Sequence, residues 1–179
     1  DIGKDGVVGN SDDEMPEPVE DILDNLENPT DERLFKVVKA IKMGVPIRKI
    51  YQLSGIDPWF LYKIQNIIEM EKKLKALNLT SGDAVELIRE AKGLGFADSQ
   101  IAGYLKTDDM VIRRFRRRNG VMPVVKQIDT LAAEWPAKTN YLYLTYHGDE
   151  DDINFDLGKK KVVVLGAGVF RIGSSVEFD

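Results

Sequence analysis

Apolar residues recur at helical spacing along most of this chain. Leu34, Val37, Val38 and Ile41 fall at i, i+3, i+4 and i+7, the stripe of an amphipathic helix. Thr30 stands where it can cap that helix, Asp31 and Glu32 suit the positive end of its dipole, and Gly44 ends it. A short helix is predicted over residues 46–53. Asp57 and Pro58 then open a longer one, with Asp at the cap and Pro at the first helical position, and Leu61, Ile64, Ile67, Ile68, Leu74 and Leu77 on its buried side. Residues 83–94 repeat the pattern with Val85, Leu87, Ile88 and Ala91, before Gly93 and Gly95 interrupt it. Two further helices are predicted over residues 98–105 and 109–119, the second closed by Gly120.

A faint internal echo runs through this stretch. Gly44, Val45, Ile50, Asp57 and Ile64 line up with Gly95, Phe96, Ile101, Asp108 and Phe115, which suggests two related helical subdomains. Downstream of Pro123 the pattern changes. Residues 141–146, Tyr-Leu-Tyr-Leu-Thr-Tyr, have the aromatic and β-branched content of a strand. Residues 161–165 form a continuous apolar run suited to a buried parallel strand, and Gly166-Ala167-Gly168 follows at once. Too little sequence remains beyond it to complete a sheet, so the C-terminal end is expected to be truncated. The expected fold is therefore mainly α, a helical bundle of two small subdomains, with a C-terminal strand and glycine-loop fragment of an α/β domain. At the other end, residues 1–20 carry many acids and few large apolar groups, too few to offset the entropy of ordering. The expected organisation is a flexible acidic arm (1–27), a helical domain (28–140), and a linker with the first strand and loop of a second domain (141–179).

Composition narrows the chemistry. The 179 residues include no cysteine, so disulfides, thiolate nucleophiles and thiolate metal sites are excluded. No apolar run reaches the roughly 18–20 residues that span a bilayer, and a cytoplasmic, membrane-free location fits the inventory. The net charge of −5 argues against general polyanion binding. His147 is the single histidine and lies in a polar loop, which argues against a Ser-His-Asp triad and leaves no histidine metal cluster. Asp129, Thr130 and Glu134 suggest acid-base or metal chemistry only superficially, since such acids in a connector more often cap turns or pair with bases such as Lys126. Trp59, Trp135, Tyr141, Tyr143 and Tyr146 read as core or interdomain packing rather than as a platform for bases.

Two motifs deserve weighing against simpler explanations. The glycine turn at residues 166–173 lacks GxGxxG spacing and serves close packing as readily as phosphate binding. The run Arg113-Arg114-Phe115-Arg116-Arg117-Arg118 follows a helix-turn-helix-like segment, and nucleic-acid binding is the main rival reading. Arginines in a last helical turn also serve the dipole and interdomain ion pairs, and the basic cluster is confined to one helix.

Separated blocks then resemble, in order and spacing, the middle of the large subunit of carbamoyl-phosphate synthase. They are Asn28-Pro29-Thr30-Asp31-Glu32-Arg33-Leu34-Phe35, Ile56-Asp57-Pro58-Trp59-Phe60-Leu61, Gly95-Phe96-Ala97-Asp98 with Ile101-Ala102, Pro123-Val124-Val125-Lys126 with Asp129-Thr130-Leu131-Ala132-Ala133-Glu134, and Arg171-Ile172-Gly173 with Glu177-Phe178-Asp179. The resemblance implies a helical oligomerization domain between two homologous ATP-grasp halves, followed by the opening strand and glycine loop of the second. It implies a parent ligase that makes carbamoyl phosphate from bicarbonate, glutamine-derived ammonia and two ATP, for arginine and pyrimidine synthesis. ATP, magnesium or manganese, and potassium would be bound outside this chain, which holds no catalytic, cofactor or metal residue and is expected to be inactive alone. Implied partners are the other catalytic domains of the same chain, a small glutamine amidotransferase subunit, and further large subunits in a homo-oligomer, with no nucleic acid. Ser175 and Glu177 fall where the family lines part of its internal tunnel. Val169-Phe170 stands in place of a usual Pro-Asn, Ser174-Ser175 in place of Gln-Gly, and Leu131 and Trp135 in place of Cys and Phe.

Overall fold

A computed structural model describes residues 18–128, 134, 135, 141–154, 158, 160 and 162. The described residues form helices α1 (Val19–Glu27), α2 (Arg33–Lys42), α3 (Ile47–Ser54), α4 (Pro58–Lys75), α5 (Ala84–Gly93), α6 (Asp98–Leu105) and α7 (Asp109–Arg118), and strands β1 (Val124–Gln127) and β2 (Leu142–Thr145). The fold is mainly helical, as the periodicity predicts.

The internal echo is a structural repeat. Helices α2, α3 and α4 begin at residues 33, 47 and 58, and α5, α6 and α7 at 84, 98 and 109, each pair 51 apart. Matching positions do matching work. Gly44 and Gly95 both take positive φ, 81° and 94°, a conformation that costs glycine nothing. Val45 and Phe96, the residues after them, donate to the carbonyls of Ala40 and Ala91, each at 3.0 Å. Asp57 and Asp108 cap α4 and α7 by accepting from the N–H two residues on, each at 2.8 Å. Val37 and Ile88, Ala40 and Ala91, Ile50 and Ile101, and Leu61 and Ile112 all lie fully out of solvent.

Each unit has its own core. Ile22, Leu26, Val37, Ala40, Ile50 and Leu61 fill the first. The second is built from the later part of α4 with α5, α6 and α7, including Met70, Leu74, Ile88, Ile101 and Ile112. Helix α4 belongs to both, and Ile41 and Ile64 pack against both cores. That double duty explains why its apolar positions spread around the helix instead of forming one narrow stripe. At the junction Glu71 is buried and paired with Lys42 of α2 and Lys75 of its own helix, each at 2.9 Å. Two cations compensate one carboxylate that has been removed from water.

Several expectations are corrected. Residues 19–27 are helix rather than arm: Ile22 and Leu26 bury completely against α2 and α3, an apolar pair too short to stand out by periodicity. Thr30 does not cap α2 through its side chain; its carbonyl accepts from Arg33 N–H, and Glu32 occupies the cap without a side-chain bond. Leu34 is exposed, while Val37, Val38, Ala40 and Ile41 of α2 face the cores. The sheet begins at Val124 rather than at residue 141, since β2 pairs antiparallel with β1, Val124 opposite Thr145 and Gln127 opposite Leu142. The apolar run at 161–165, the glycine turn, and Ser175 and Glu177 lie outside the described residues, apart from Val162, which is exposed. So do Asp129, Thr130 and Leu131.

Candidate interaction surfaces

Three surfaces stand out from the two cores. The first lies at the start of α4, where the Asp57 cap and Pro58 fix the first turn. Core positions Leu61, Ile64 and Ile68 leave Trp59, Phe60 and Tyr62 on the outside, and these three are 59, 57 and 55% exposed. Trp59 and Phe60 meet edge to face at 4.9 Å, and the Lys63 ammonium sits 5.1 Å from the Trp59 ring centre. Of the core and interdomain roles read for Trp59, this exposure excludes the core one. The missed signal was angular: positions 59 and 62 lie off the stripe defined by 61, 64 and 68.

The second surface is α7. The arginine run divides according to helix face. Arg116 turns inward beside fully buried Ile112, and its Nε donates to both oxygens of Asp98 at 3.0 and 2.8 Å. Arg113, Arg114, Arg117 and Arg118 are exposed, and among the described residues none of them has a carboxylate within ion-pair distance. Beside them lies an open groove of about 600 Å³, lined by partly buried Leu79, Val111 and Phe115 and by exposed Arg114, Arg118 and Asn119.

The third surface is the β-hairpin. Its inner end is anchored on the Asp98 cluster: Lys92 Nζ lies 3.0 Å from Asp98 and donates to the Phe96 carbonyl, while the Tyr146 ring lies 5.2 Å from Lys92 and 5.9 Å from the Arg116 guanidinium. Partial burial works against the Asp98 carboxylate, but hydrogen bonds from Arg116 and Lys92 prevail and hold its pKa below the ordinary value. Burial pushes the Tyr146 phenol up. The outer edge of β1 is closed by two acids: Asp151 accepts from Val125 N–H at 2.7 Å and Asp152 from Gln127 N–H at 2.9 Å. The Lys126 ammonium, 2.8 Å from Asp152, holds that carboxyl down and is itself raised by it. Tyr141, Leu142, Tyr143 and Leu144 remain exposed, so the two tyrosines are not in this chain's core, and of the two roles read for them interdomain packing is the one left open.

His147 does not join a catalytic group; its ring lies against Gly93 at the end of α5. Glu134 and Trp135 are exposed. Among the described residues there is no group of three or more acids and histidines able to hold a metal ion, and no helix long and apolar enough to cross a membrane. Aromatic faces, guanidiniums and a strand edge are groups that proteins use to bind other proteins.

Comparison with known proteins agrees. Residues 1–120 match the family model described as the carbamoyl-phosphate synthetase large chain, oligomerisation domain. The chain is 44% identical over 180 residues to the carbamoyl phosphate synthase large chain of Hyperthermus butylicus, an alignment covering all of this chain and 17% of that protein. It is 48% identical over 156 residues to the multifunctional protein CAD of Squalus acanthias, covering 87% of this chain and 7% of the relative. A mitochondrial carbamoyl-phosphate synthase [ammonia] of Rattus norvegicus is 45% identical over 159 residues, covering 89% and 10%. The chain thus spans only a small part of the length of these relatives. By the family match and these identities, the chain belongs to the oligomerisation domains of carbamoyl-phosphate synthetase large chains.

Proposed function

We propose that this chain works as the oligomerisation and connector region of a carbamoyl-phosphate synthase large subunit, joining two catalytic halves and covering its exposed faces against them or against another subunit. The observation that carries the reading is the aromatic face at the start of α4. Three large rings, each more than half exposed, stand on fewer than two turns of one helix. Such a face costs solubility unless it is covered, and aromatic residues dominate the energetics of protein interfaces.

The parent reaction would be ATP-dependent ligation of bicarbonate and glutamine-derived ammonia to carbamoyl phosphate, in the cytoplasm, serving arginine and pyrimidine synthesis. A small glutamine amidotransferase subunit would supply the ammonia. ATP, magnesium or manganese, and potassium would be held by ATP-grasp domains outside this chain. No described side-chain cluster suits a metal ion, so no chemical step is assigned to these residues. Ser175 and Glu177 would line the tunnel between the two active sites. The isolated chain would be inactive.

Sedimentation equilibrium of the 179-residue chain over a concentration series tests the reading. Reversible self-association that weakens about ten-fold or more in Trp59→Ser/Phe60→Ser, with unchanged helix content, is the expected result. A monomer at every concentration would leave intramolecular connection alone. Association untouched by the double substitution would remove the aromatic face from the argument. Nucleic-acid binding has no independent support: the inward turn of Arg116 takes the centre of the arginine run into the core.

A further inference from the structure

The two helical units carry exposed charge of opposite sign, on α1 of the first and α7 of the second, with no ion pair to either exposed set among the described residues. On α1, Glu20, Asp24 and Glu27 fall at i, i+4 and i+7, with Asp21 beside them, and all four are exposed. The helix has no basic residue, and among the described residues none of these acids has a cation within ion-pair distance. Their face lies opposite Ile22 and Leu26, which pin α1 to α2 and α3. Helix α7, in the second unit, presents Arg114 and Arg118 beside partly buried Val111, Phe115 and Leu79. It packs on α5 and α6, so the acidic face and the basic groove belong to different units of the fold.

We infer that the α7 groove is a docking site for the acidic outer face of α1 of a second copy of this chain. The inference rests on the oligomerisation reading and adds a second contact surface to the aromatic face of α4. Charge complementarity selects the occupant. The acids of α1 recur at the spacing that places them along one line, as do Arg114 and Arg118 at i and i+4, so two packed helices bring several opposite charges together. The protein is acidic overall, with 30 acids against 25 bases. A basic groove attracts acidic faces, and α1 offers four exposed acids with no basic residue among them, which favours it over faces where both signs alternate. Partly buried Val111 and Phe115 supply the apolar centre that a ring of charge alone lacks.

The test uses two charge-reversal variants of the whole chain, Arg114→Glu/Arg118→Glu and Asp21→Lys/Asp24→Lys, studied by sedimentation equilibrium separately and mixed. Wild-type association is expected to weaken as salt rises to about 0.5 M. Each variant alone is expected to associate about ten-fold more weakly, because one of its surfaces now repels the other. Mixing them restores association, since the reversed α1 of one meets the reversed α7 of the other. A variant that fails to fold shows in circular dichroism, and Arg114→Gln/Arg118→Gln then replaces the reversal. Wild-type association that both reversals leave unchanged would overturn the docking site while the oligomerisation reading stands. Absence of self-association in the wild type would overturn both. Salt-sensitive duplex DNA binding, lost in Arg114→Glu/Arg118→Glu, with no rescue on mixing, would assign the groove to nucleic acid instead.

Discussion

Arg116 of α7 reaches back 18 positions to Asp98 at the first position of α6, and its Nε lies within 3.0 Å of both carboxylate oxygens. The contact makes one arginine of the basic run a structural member of the second unit. Its Nη1 also donates to the Val121 carbonyl at 3.3 Å, so the guanidinium ties α6, α7 and the chain leading to the hairpin together.

Arg116→Ala is therefore expected to destabilise the fold by about 2 kcal/mol, because it leaves a partly buried carboxylate short of its main partner. Arg118→Ala, on the exposed face of the same helix, should change stability by less than about 0.5 kcal/mol. Urea unfolding of the two variants checks this: a shift of the midpoint in the first and not the second is expected, with the slope unchanged.

Acid should weaken the same contact. The Asp98 pKa is lower in the folded state than its ordinary 3.8, so the native state binds the proton less readily than the unfolded chain. The resulting stability is present above the unfolded value and lost as pH falls through the folded one. The stability difference between wild type and Asp98→Asn should stay constant from neutrality to about pH 4 and shrink below it, as measured by urea unfolding at a series of pH values.

Glu71 and Lys42 join the two helical units, and their contribution should be coupled. Glu71→Ala is expected to cost about 2–3 kcal/mol and Lys42→Ala less, since Lys75 remains to pair the carboxylate. A double-mutant cycle should return a coupling of about 1 kcal/mol, whereas strict additivity would show that the pair contributes nothing specific.

The repeat predicts a stabilising substitution. Gly55 and Lys106 end α3 and α6 at matching positions, both left-handed, with φ of 68° and 52°. Glycine adopts that conformation without the penalty that a side chain meets there. Lys106→Gly should gain up to about 1 kcal/mol and Gly55→Ala should lose about the same. Thermal unfolding that moves in opposite directions for the two variants is the expected observation.

Much of the helical half was legible because its signals are local. The Asp57-Pro58 start and the glycines at 44 and 95 need only neighbouring backbone to act, and each did what its chemistry predicts. The 51-residue echo was visible in a few residues, yet only matching φ values, caps and buried positions made it a repeat. Local signals also misled: Thr30 had the chemistry of a cap, but the chain entered α2 at Glu32. The strand at β2 was legible from composition, while β1 was not, since four residues of mixed polarity declare themselves only by pairing.

By itself the sequence determined where most helices after α1 run, the lack of thiol chemistry, and the family to which separated motifs point. The tertiary structure decided which charges are structural and which are free. Five arginines of α7 look alike as a string, but packing turns Arg116 onto Asp98 and leaves Arg114 and Arg118 beside an open groove. It likewise placed Trp59 outside the core and Ile22 inside it. The reason is geometric: periodicity tells which residues share a face of a helix, whereas burial depends on the neighbours that other helices bring to that face.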